Sequence, residues 1–385
     1  MGGLNGIMIT SKNDRMLELL WFVGYCGEFP SQLASRVGGH PEWNRHVKYR
    51  AIKEGLVSVS RDKCRQRIIR SLHLTQAGLD YIGARDPVAL SHVLALQGSE
   101  NTGRPSIEKI LRSHSVAISM VMAHNAGAAI LPQDKPSLMS PQYYGPSRVA
   151  ADPKSAYYYS PREIRMAIQE YEPNSVAKTS RITGIIVKGH RCYCLYHTGF
   201  TRMFWLRNNE ENTVASIDTL LNARDFHCTV YAQVVIGTKM ETAKKIGKHR
   251  VNSRSRYFTV SDTYNNCFYL ENSARGDELL NTILDEEKQM QENRMALMGF
   301  NPPAVATRAY DALTPDLQRP VILGYQCDLL ALLNVDPAIP GFQQSPIILC
   351  YDYQVDAIQT IVGPLIEVRS INGGYYREKE TCCDS

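Results

Sequence analysis

The sequence predicts an α/β protein built from several domains, and three observations favour this fold class. The chain has 385 residues and a hydrophobic content of 44%, which is enough for two or three buried cores. Helical periodicity dominates the first 86 residues, whereas strand and helix patterns alternate from residue 157 onwards. Positive charge is concentrated between residues 45 and 70, where nine Lys/Arg accompany two acids. The excess of seven positive charges in this segment is larger than the net charge of +5 of the whole chain, so the remainder of the chain is slightly acidic.

Three helices are predicted at the N-terminus. Apolar residues recur at helical spacing over residues 11–27, where Ser11 can cap the first turn and Gly27 ends the helix. A second helix is expected over residues 30–37, with Pro30 in the first turn where proline is tolerated. Gly38-Gly39 then predicts a turn into a third helix over residues 41–54.

A basic β-hairpin is predicted to follow these helices. Residues 56–60 and 67–74 alternate apolar and polar side chains on either side of the polar tip 61–66. A capped helix at residues 74–79 closes the unit. Three helices and a hairpin in this order predict a winged helix-turn-helix domain over residues 1–86.

The charge on this unit predicts a polyanionic partner, and its fold indicates double-stranded DNA. The third helix would enter the major groove while the hairpin lies along phosphates. Tyr49 and His46 would either read base edges or pack, and packing is the more frequent role for such residues. A solvated basic surface is the alternative interpretation. The candidate DNA-binding residues are Arg45, Lys48, Tyr49, Arg50, Lys53, Arg61, Lys63, Arg65, Arg67 and Arg70.

Three further segments are predicted after residue 86. Residues 87–156 are expected to form a helical connector and a surface loop, and residues 376–385 a tail. Residues 157–375 are expected to form a mixed α/β domain. Within it, a capping box is expected at Ser160–Glu163 and one long helix over residues 277–297. Strands are expected at 181–187, 191–196, 203–206, 229–236 and 346–350, and further helices at 216–222, 241–249 and 354–362.

Several classes of protein lack support in the sequence. No run approaches the ~20 apolar residues of a membrane span, and the N-terminus carries no signal-peptide pattern. The ten cysteines include no pair at the spacing of a zinc knuckle, so we expect reduced thiols and a cytoplasmic location without a membrane partner. No His-x-His pair or glycine-rich phosphate loop occurs, which argues against a relaxase metal site and against ATP use. No cofactor is expected.

Several stretches resemble the replication-relaxation proteins, which occur on plasmids and integrative elements of Gram-positive bacteria. The resemblance implies a DNA-binding winged helix joined to a domain similar to restriction-type nucleases. Besides the N-terminal unit, the stretches that carry it are 159–165, 180–185, 193–199 with Trp205, and 348–354.

The nuclease part of that resemblance can be tested on individual residues. A nuclease of this class holds Mg²⁺ with an Asp on one strand and an acid-x-Lys pair on the next. Thr183 and either Leu195 or Tyr196 occupy those positions here. The resemblance therefore implies a nuclease-like scaffold without catalytic or metal-binding residues. Glu163 lies on the helix that precedes the first of these two strands. A lone carboxylate at that position is expected to cap its own helix.

We therefore expect a non-enzymatic, sequence-specific double-stranded DNA-binding factor that acts at a transfer or replication origin of a mobile element. Its expected protein partners are a relaxase or replication protein and a second copy of the chain. Two alternatives stay open. One is a metal-dependent DNA nuclease or relaxase that uses carboxylates such as Glu163, Asp218 or Glu210. The other is a transcription regulator whose large domain senses a ligand.

Overall fold

The structure is a computed structural model in which mixed α/β architecture is distributed over two compact units. The first unit comprises Met1–His197 and Arg207–Val230, and the second comprises Thr198–Leu206 and Tyr231–Ser385. The sequence-based divisions after residues 86 and 156 both fall inside the first unit. The residues described are 14–64, 66–97, 105–139, 149–171, 181–199, 203–247, 257–260, 263–303 and 309–371.

Helix α1, Arg15–Cys26, forms the centre of the N-terminal part of the first unit. Nine consecutive residues, 16–24, are buried, so every side of the helix is covered over that stretch. The carboxylate of Asp14 caps the helix by accepting a hydrogen bond from the Leu17 amide at 3.0 Å. A helix that is apolar all round must be packed on all sides, which explains why further elements surround it.

The predicted second helix is wrong in extent. Its first residue, Pro30, belongs with Phe29 to the short strand β1, Phe29–Pro30, and lies opposite Ser71 rather than starting a helix. Only Leu33–Arg36 is helical, as a single 3₁₀ turn. Proline is tolerated at the edge of a sheet because its missing N–H can face away from the ladder. The third predicted helix is confirmed as α2, Pro41–Lys53.

The predicted hairpin is confirmed, but the tip expected at residues 61–66 is shorter, because the first strand continues to Cys64. Strands β2, Val57–Cys64, and β3, Arg67–Leu74, pair antiparallel along their full lengths. Strand β1 pairs with β3, giving the strand order β1-β3-β2. The closing helix α3, Gln76–Gly83, is capped by the Thr75 hydroxyl, which accepts from the Gly78 amide at 3.2 Å.

The predicted connector packs onto the N-terminal elements. Helix α4 spans Pro87–Gln97 and helix α5 spans Ile107–Asn125. On α5, His124 lies 3.0 Å from the buried Glu18 carboxylate of α1, and its ring meets Phe22 edge to face. The compact unit therefore extends past residue 86, because α5 supplies part of the cover that α1 needs.

The rest of the first unit contains a mixed sheet with helices. Strands β4 and β5 are parallel, whereas β5, β6 and β7 are antiparallel in that order. Gly184 of β6 has φ +152° and lies under the Tyr158 ring, so any larger residue would collide with that ring. The elements are β4 Ala128–Ala129, β5 Ala156–Tyr159, α6 Pro161–Tyr171, β6 Ile182–Lys188, β7 Arg191–Gly199 and α7 Arg207–Ala223.

The second unit continues the alternation of strands and helices that the sequence predicts. Strands β8 and β9 are parallel, and a four-stranded sheet has the order β10-β11-β12-β13 with only its β10–β11 pair antiparallel. The elements are β8 Thr229–Gly237, α8 Met240–Gly247, β9 Asn266–Glu271, α9 Ala274–Leu284, α10 Glu286–Ala296, β10 Ala312–Leu313, β11 Pro320–Leu323, α11 Leu329–Leu333, β12 Ile347–Cys350, α12 Val355–Val362 and β13 Glu367–Ser370.

Two predictions in this unit need correction. The single helix over residues 277–297 is two helices, because Asp285 adopts extended backbone and its carboxylate caps the Glu287 and Lys288 amides. The strand expected at 203–206 is reduced to an isolated bridge between Phe204 and Tyr257.

Across the parts of the chain that the structure describes, no helix combines the length and apolar character needed to cross a bilayer. The predicted tail lies outside the described residues.

Candidate nucleic-acid interface

The turn before α2 is stabilised by hydrogen bonds on the side that faces the protein interior. Gly38 and Gly39 have φ +57° and +62°, a left-handed conformation that favours glycine. The buried side-chain amide of Asn44 donates to the carbonyls of Ser35, Val37 and Gly38. These bonds fix the angle at which α2 leaves the 3₁₀ turn.

The opposite side of α2 faces solvent. Two large rings lie on it, since Trp43 is 62% exposed and Tyr49 is 64% exposed. The expectation that Tyr49 and His46 pack in the interior is wrong, because both are exposed. The exposed side chains of α2 are Pro41, Glu42, Trp43, Arg45, His46, Tyr49, Arg50 and Lys53.

Two arginines of α2 form ion pairs within the helix or at its end. Arg45 pairs with Glu42 at 2.6 Å, and Arg50 pairs with Glu54 at 2.6 Å. All four side chains are solvent-exposed, and such pairs contribute only ~0–1 kcal/mol. The carboxylates are therefore weak competitors for a multivalent anion.

The hairpin has one anchored face. On this inner face, Ser71 Oγ lies 2.8 Å from His114 Nε2 of α5, and His73 Nε2 lies 2.8 Å from Ser60 Oγ and 3.4 Å from Glu28. Burial and the neighbouring His73 lower the pKa of His114 to about 4. His114 is therefore neutral at pH 7, and the contact with Ser71 is an uncharged hydrogen bond that fixes the hairpin against α5.

The outer face of the hairpin carries unpaired cations. Arg61 lies directly opposite Arg70, and Lys63 lies opposite Ile68. Like charges in directly opposed positions destabilise an antiparallel pair. Among the described residues, no carboxylate pairs with Arg61, Lys63 or Arg70, and all three are exposed. An external anion would relieve this repulsion.

The helix and the hairpin meet at Lys48. Its Nζ lies 3.5 Å from the carbonyl oxygen of Ser31, whose own amide donates to the carbonyl of Arg70 at 2.9 Å. Burial lowers the pKa of Lys48, and the charges of Arg45 and Arg70 lower it further. Two arginines therefore lie near enough to Lys48 to act on its charge, and we name these three residues the cation cluster: Arg45, Lys48 and Arg70.

The predicted residues therefore fall into groups. Arg45 and Arg70 lie near Lys48, and the ring centre of Tyr49 is 5.1 Å from Lys48 Nζ. Arg61 and Lys63 share the hairpin face of Arg70, whereas Arg67 lies on the opposite face. Arg50 and Lys53 are exposed near the end of α2, and Arg65 lies outside the described residues.

Sequence reasoning missed two apolar members of this surface, Trp43 and Ile68. The signal for Trp43 was available, because it lies off the buried stripe of α2 that contains Asn44 and Ala51. Ile68 is 65% exposed on the outer face of the hairpin. The face of the hairpin on which Ile68 lies depends on the strand register. That register is defined only when the first and last residues of both strands are known.

The positions compared with a nuclease lie in the interior of the first unit. Thr183 is fully buried, and its hydroxyl lies 2.7 Å from Ser119 Oγ. Tyr196 is also buried and donates to Glu210 Oε2 at 3.2 Å. Within the described ranges, no three His, Cys, Asp or Glu side chains converge in a way that could hold a metal ion.

The carboxylates named as nuclease candidates have separate protein partners. Glu163 forms the predicted capping box by accepting from the Ser160 amide at 2.8 Å, and it pairs with the buried Lys135 at 2.6 Å. Asp218 accepts from the Val230 amide at 2.7 Å. Burial raises the pKa of Glu210 to about 7, although Tyr196 and the main chain donate hydrogen bonds to it. The charge of Glu210 therefore changes near neutral pH.

Comparison of the chain with protein-family models, with curated proteins and with solved structures finds no match.

Proposed function

We propose that the protein binds double-stranded DNA through α2 and the β2–β3 hairpin. The observation that carries this proposal is the cation cluster, in which Lys48 of α2 reaches the carbonyl of Ser31, whose amide donates to Arg70 of the hairpin. A cluster of this kind is stabilised by phosphate, which is the repeating charge of a duplex.

The arrangement of the elements supports a winged helix-turn-helix. Helix α1, the 3₁₀ turn and α2 take the positions of the three helices, and the hairpin takes the position of the wing. In this assignment α2 is the recognition helix, and its exposed face would enter the major groove. Trp43 and Tyr49 would then contact base edges or thymine methyl groups.

The biological setting that we propose follows from the resemblance to replication-relaxation proteins. The protein would act as an accessory or initiator factor at a transfer or replication origin, in contact with a relaxase or replication protein. The remainder of the chain would serve as a scaffold for such contacts, without catalysis of its own.

Salt dependence tests the DNA-binding proposal. If about six cations neutralise phosphates, log K should fall against log salt with a slope of roughly −5. Affinity for a duplex would drop about 10³-fold between 50 and 200 mM salt, by the same relation. A slope near zero, or no complex at the lowest salt, would show that the basic surface is solvated only.

A second candidate function, a metal-dependent nuclease, is favoured by one observation, the raised pKa of the buried Glu210. We expect supercoiled origin DNA to stay uncut with Mg²⁺ or Mn²⁺, because Thr183 and Tyr196 stand where such enzymes place carboxylates. Nicking at one position that is lost in Glu210→Gln and with chelator would favour the nuclease over the scaffold.

A further inference from the structure

The outer face of the hairpin combines cations with exposed aliphatic side chains. Successive residues of one face are two positions apart along each strand, and the face contains Val59, Arg61 and Lys63 on β2 with Ile68 and Arg70 on β3. Val59, nearer the body of the protein, is 37% exposed, whereas Ile68 near the hairpin end is 65% exposed. Single exposed apolar side chains are common on protein surfaces, so a role for Ile68 depends on its position among the cations of this face.

The structure holds this face in place. Its base is anchored in the core by Val57 and Leu72, which are 3% and 0% exposed. The inner face is fixed by the hydrogen bond between Ser71 and His114. Ile68 is therefore presented by a supported ribbon rather than by a loop that could fold it away.

The position of the cation cluster indicates which groove Ile68 would meet. If α2 lies in the major groove, Lys48 and Arg70 lie over the phosphates that border that groove. Ile68 is two residues beyond Arg70 along β3, a distance of about 7 Å at ~3.4 Å per residue. On the far side of a phosphate backbone lies the adjacent minor groove, whose width of ≈ 6 Å excludes a whole ribbon but admits a side chain.

We propose that Ile68 is a wedge that enters a base step from the minor groove and bends the DNA, with Arg61, Lys63 and Arg70 on the flanking phosphates. Apolar side chains that enter the minor groove in this way partly unstack one step and bend the duplex toward the major groove. Steps that unstack easily, such as TA, would be preferred over stiff A-tracts without any hydrogen bond to a base. This inference rests on the proposed DNA binding and adds a mode of sequence preference to it.

Bending of a labelled duplex by the 385-residue chain tests the wedge. The probes are duplexes of about 30 base pairs with a dye at each end and either a central TA step or an A-tract, the TA probe carrying 2-aminopurine at that step. We expect the wild type to shorten the end-to-end distance of the TA probe and to brighten 2-aminopurine. Ile68→Ala should lose both signals and about tenfold in affinity for the TA probe, with the slope against salt unchanged.

Two further variants make the result specific to the wedge. Val59→Ala removes an aliphatic side chain from the same face and should keep the bend, with less than about a twofold change in affinity. Ile68→Leu keeps an apolar side chain at the hairpin end and should restore bending. A straight wild-type complex, or an Ile68→Ala complex as bent as the wild type, would overturn the wedge while leaving DNA binding intact. Absence of any complex would overturn both proposals.

Discussion

The side-chain amide of Asn44 donates a hydrogen bond to the main-chain carbonyl of Val37 at 3.1 Å. The same amide reaches the carbonyl of Ser35 at 3.3 Å, so a single side chain closes the turn that precedes α2. The orientation of the proposed recognition helix depends on this contact.

We expect Asn44→Ala to lower the free energy of unfolding by about 1–3 kcal/mol, because buried carbonyls lose their donor. Asn44→Asp should cost more, since it places carboxylate oxygens against carbonyl oxygens. Urea denaturation measures both effects, and Asn208→Ala on the exposed face of α7 is the matched control. Equal stabilities for the Asn44 and Asn208 variants would contradict this role.

The helix and the hairpin should contribute differently to DNA binding. Replacing Arg61, Lys63 and Arg65 with alanine should weaken binding to specific and random duplexes alike and make the slope against salt shallower by roughly 3. Replacing Arg45 or Lys48 should in addition reduce the preference for the specific duplex, by about 1–3 kcal/mol where a base contact is lost.

Competition binding with the two kinds of duplex separates these effects. Lys288→Ala, on the exposed surface of α10, is the control for the removal of a positive charge. If both sets of variants lose the same factor on specific and random DNA, α2 does not read the sequence.

Glu210 should make the stability of the protein fall as pH rises. Burial raises its folded pKa to about 7, against an ordinary value of 4.5 for an exposed glutamate. The folded state therefore holds a proton more tightly than the unfolded state, and the stability associated with that proton is lost between about pH 4.5 and 7. The total change is up to about 3 kcal/mol at 1.36 kcal/mol per pKa unit.

Chemical denaturation across this pH range measures whether the free energy of unfolding falls or rises with pH. Glu210→Gln should flatten the profile and be more stable than the wild type at pH 8. Glu211→Gln, one residue further and half-buried beside Arg207, should leave the profile unchanged. A wild-type profile that rises through the same range would refute this assignment.

Glu163 should stabilise the fold through its pair with Lys135. Burial alone would raise the pKa of Glu163, but Lys135 and His92 outweigh it and hold the pKa at about 2. Lys135 is buried and also donates to the Tyr158 carbonyl at 2.7 Å. Glu163→Gln leaves this ammonium without its counter-charge, so we expect a loss of about 3–5 kcal/mol.

The double variant Glu163→Gln with Lys135→Met removes both charges and should recover part of that loss. A coupling energy near zero in this cycle would mean that the pair is not formed in solution. The contribution of Glu163 is fully present above about pH 4.5 and should disappear as pH falls toward 2, because its folded pKa lies below the unfolded value.

Local sequence patterns were sufficient for much of this architecture. The alternation in residues 56–74 predicted the hairpin, and the Ser160–Glu163 spacing predicted the capping box, because each depends on contacts between near neighbours. The capping role of Asp285 also depends on near neighbours. It could have been used to divide the long helix predicted over residues 277–297 into two. The basic surface was predicted from charge alone, and its residues lie on the two elements expected.

Contacts between distant residues account for what the sequence did not predict. Pro30 joins a strand only because β3 lies beside it, and that pairing spans about forty residues of chain. The approach of Arg70 to Lys48 depends on the same pairing through Ser31. The role of α5 as a cover for α1 also could not be derived, because an apolar helical stripe does not identify the element that it packs against.

The burial of α1 on every side has a consequence for how the proposed DNA-binding surface can change in evolution. His124 and Phe22 join α5 to the helix that supports the recognition turn, so the first 86 residues cannot be exchanged between proteins as a self-contained cassette. A recombination event that joined those residues to a different domain would expose the apolar surface of α1 that α5 covers. Substitutions in α5 are therefore a route by which remote sequence changes could alter the proposed contact with a duplex.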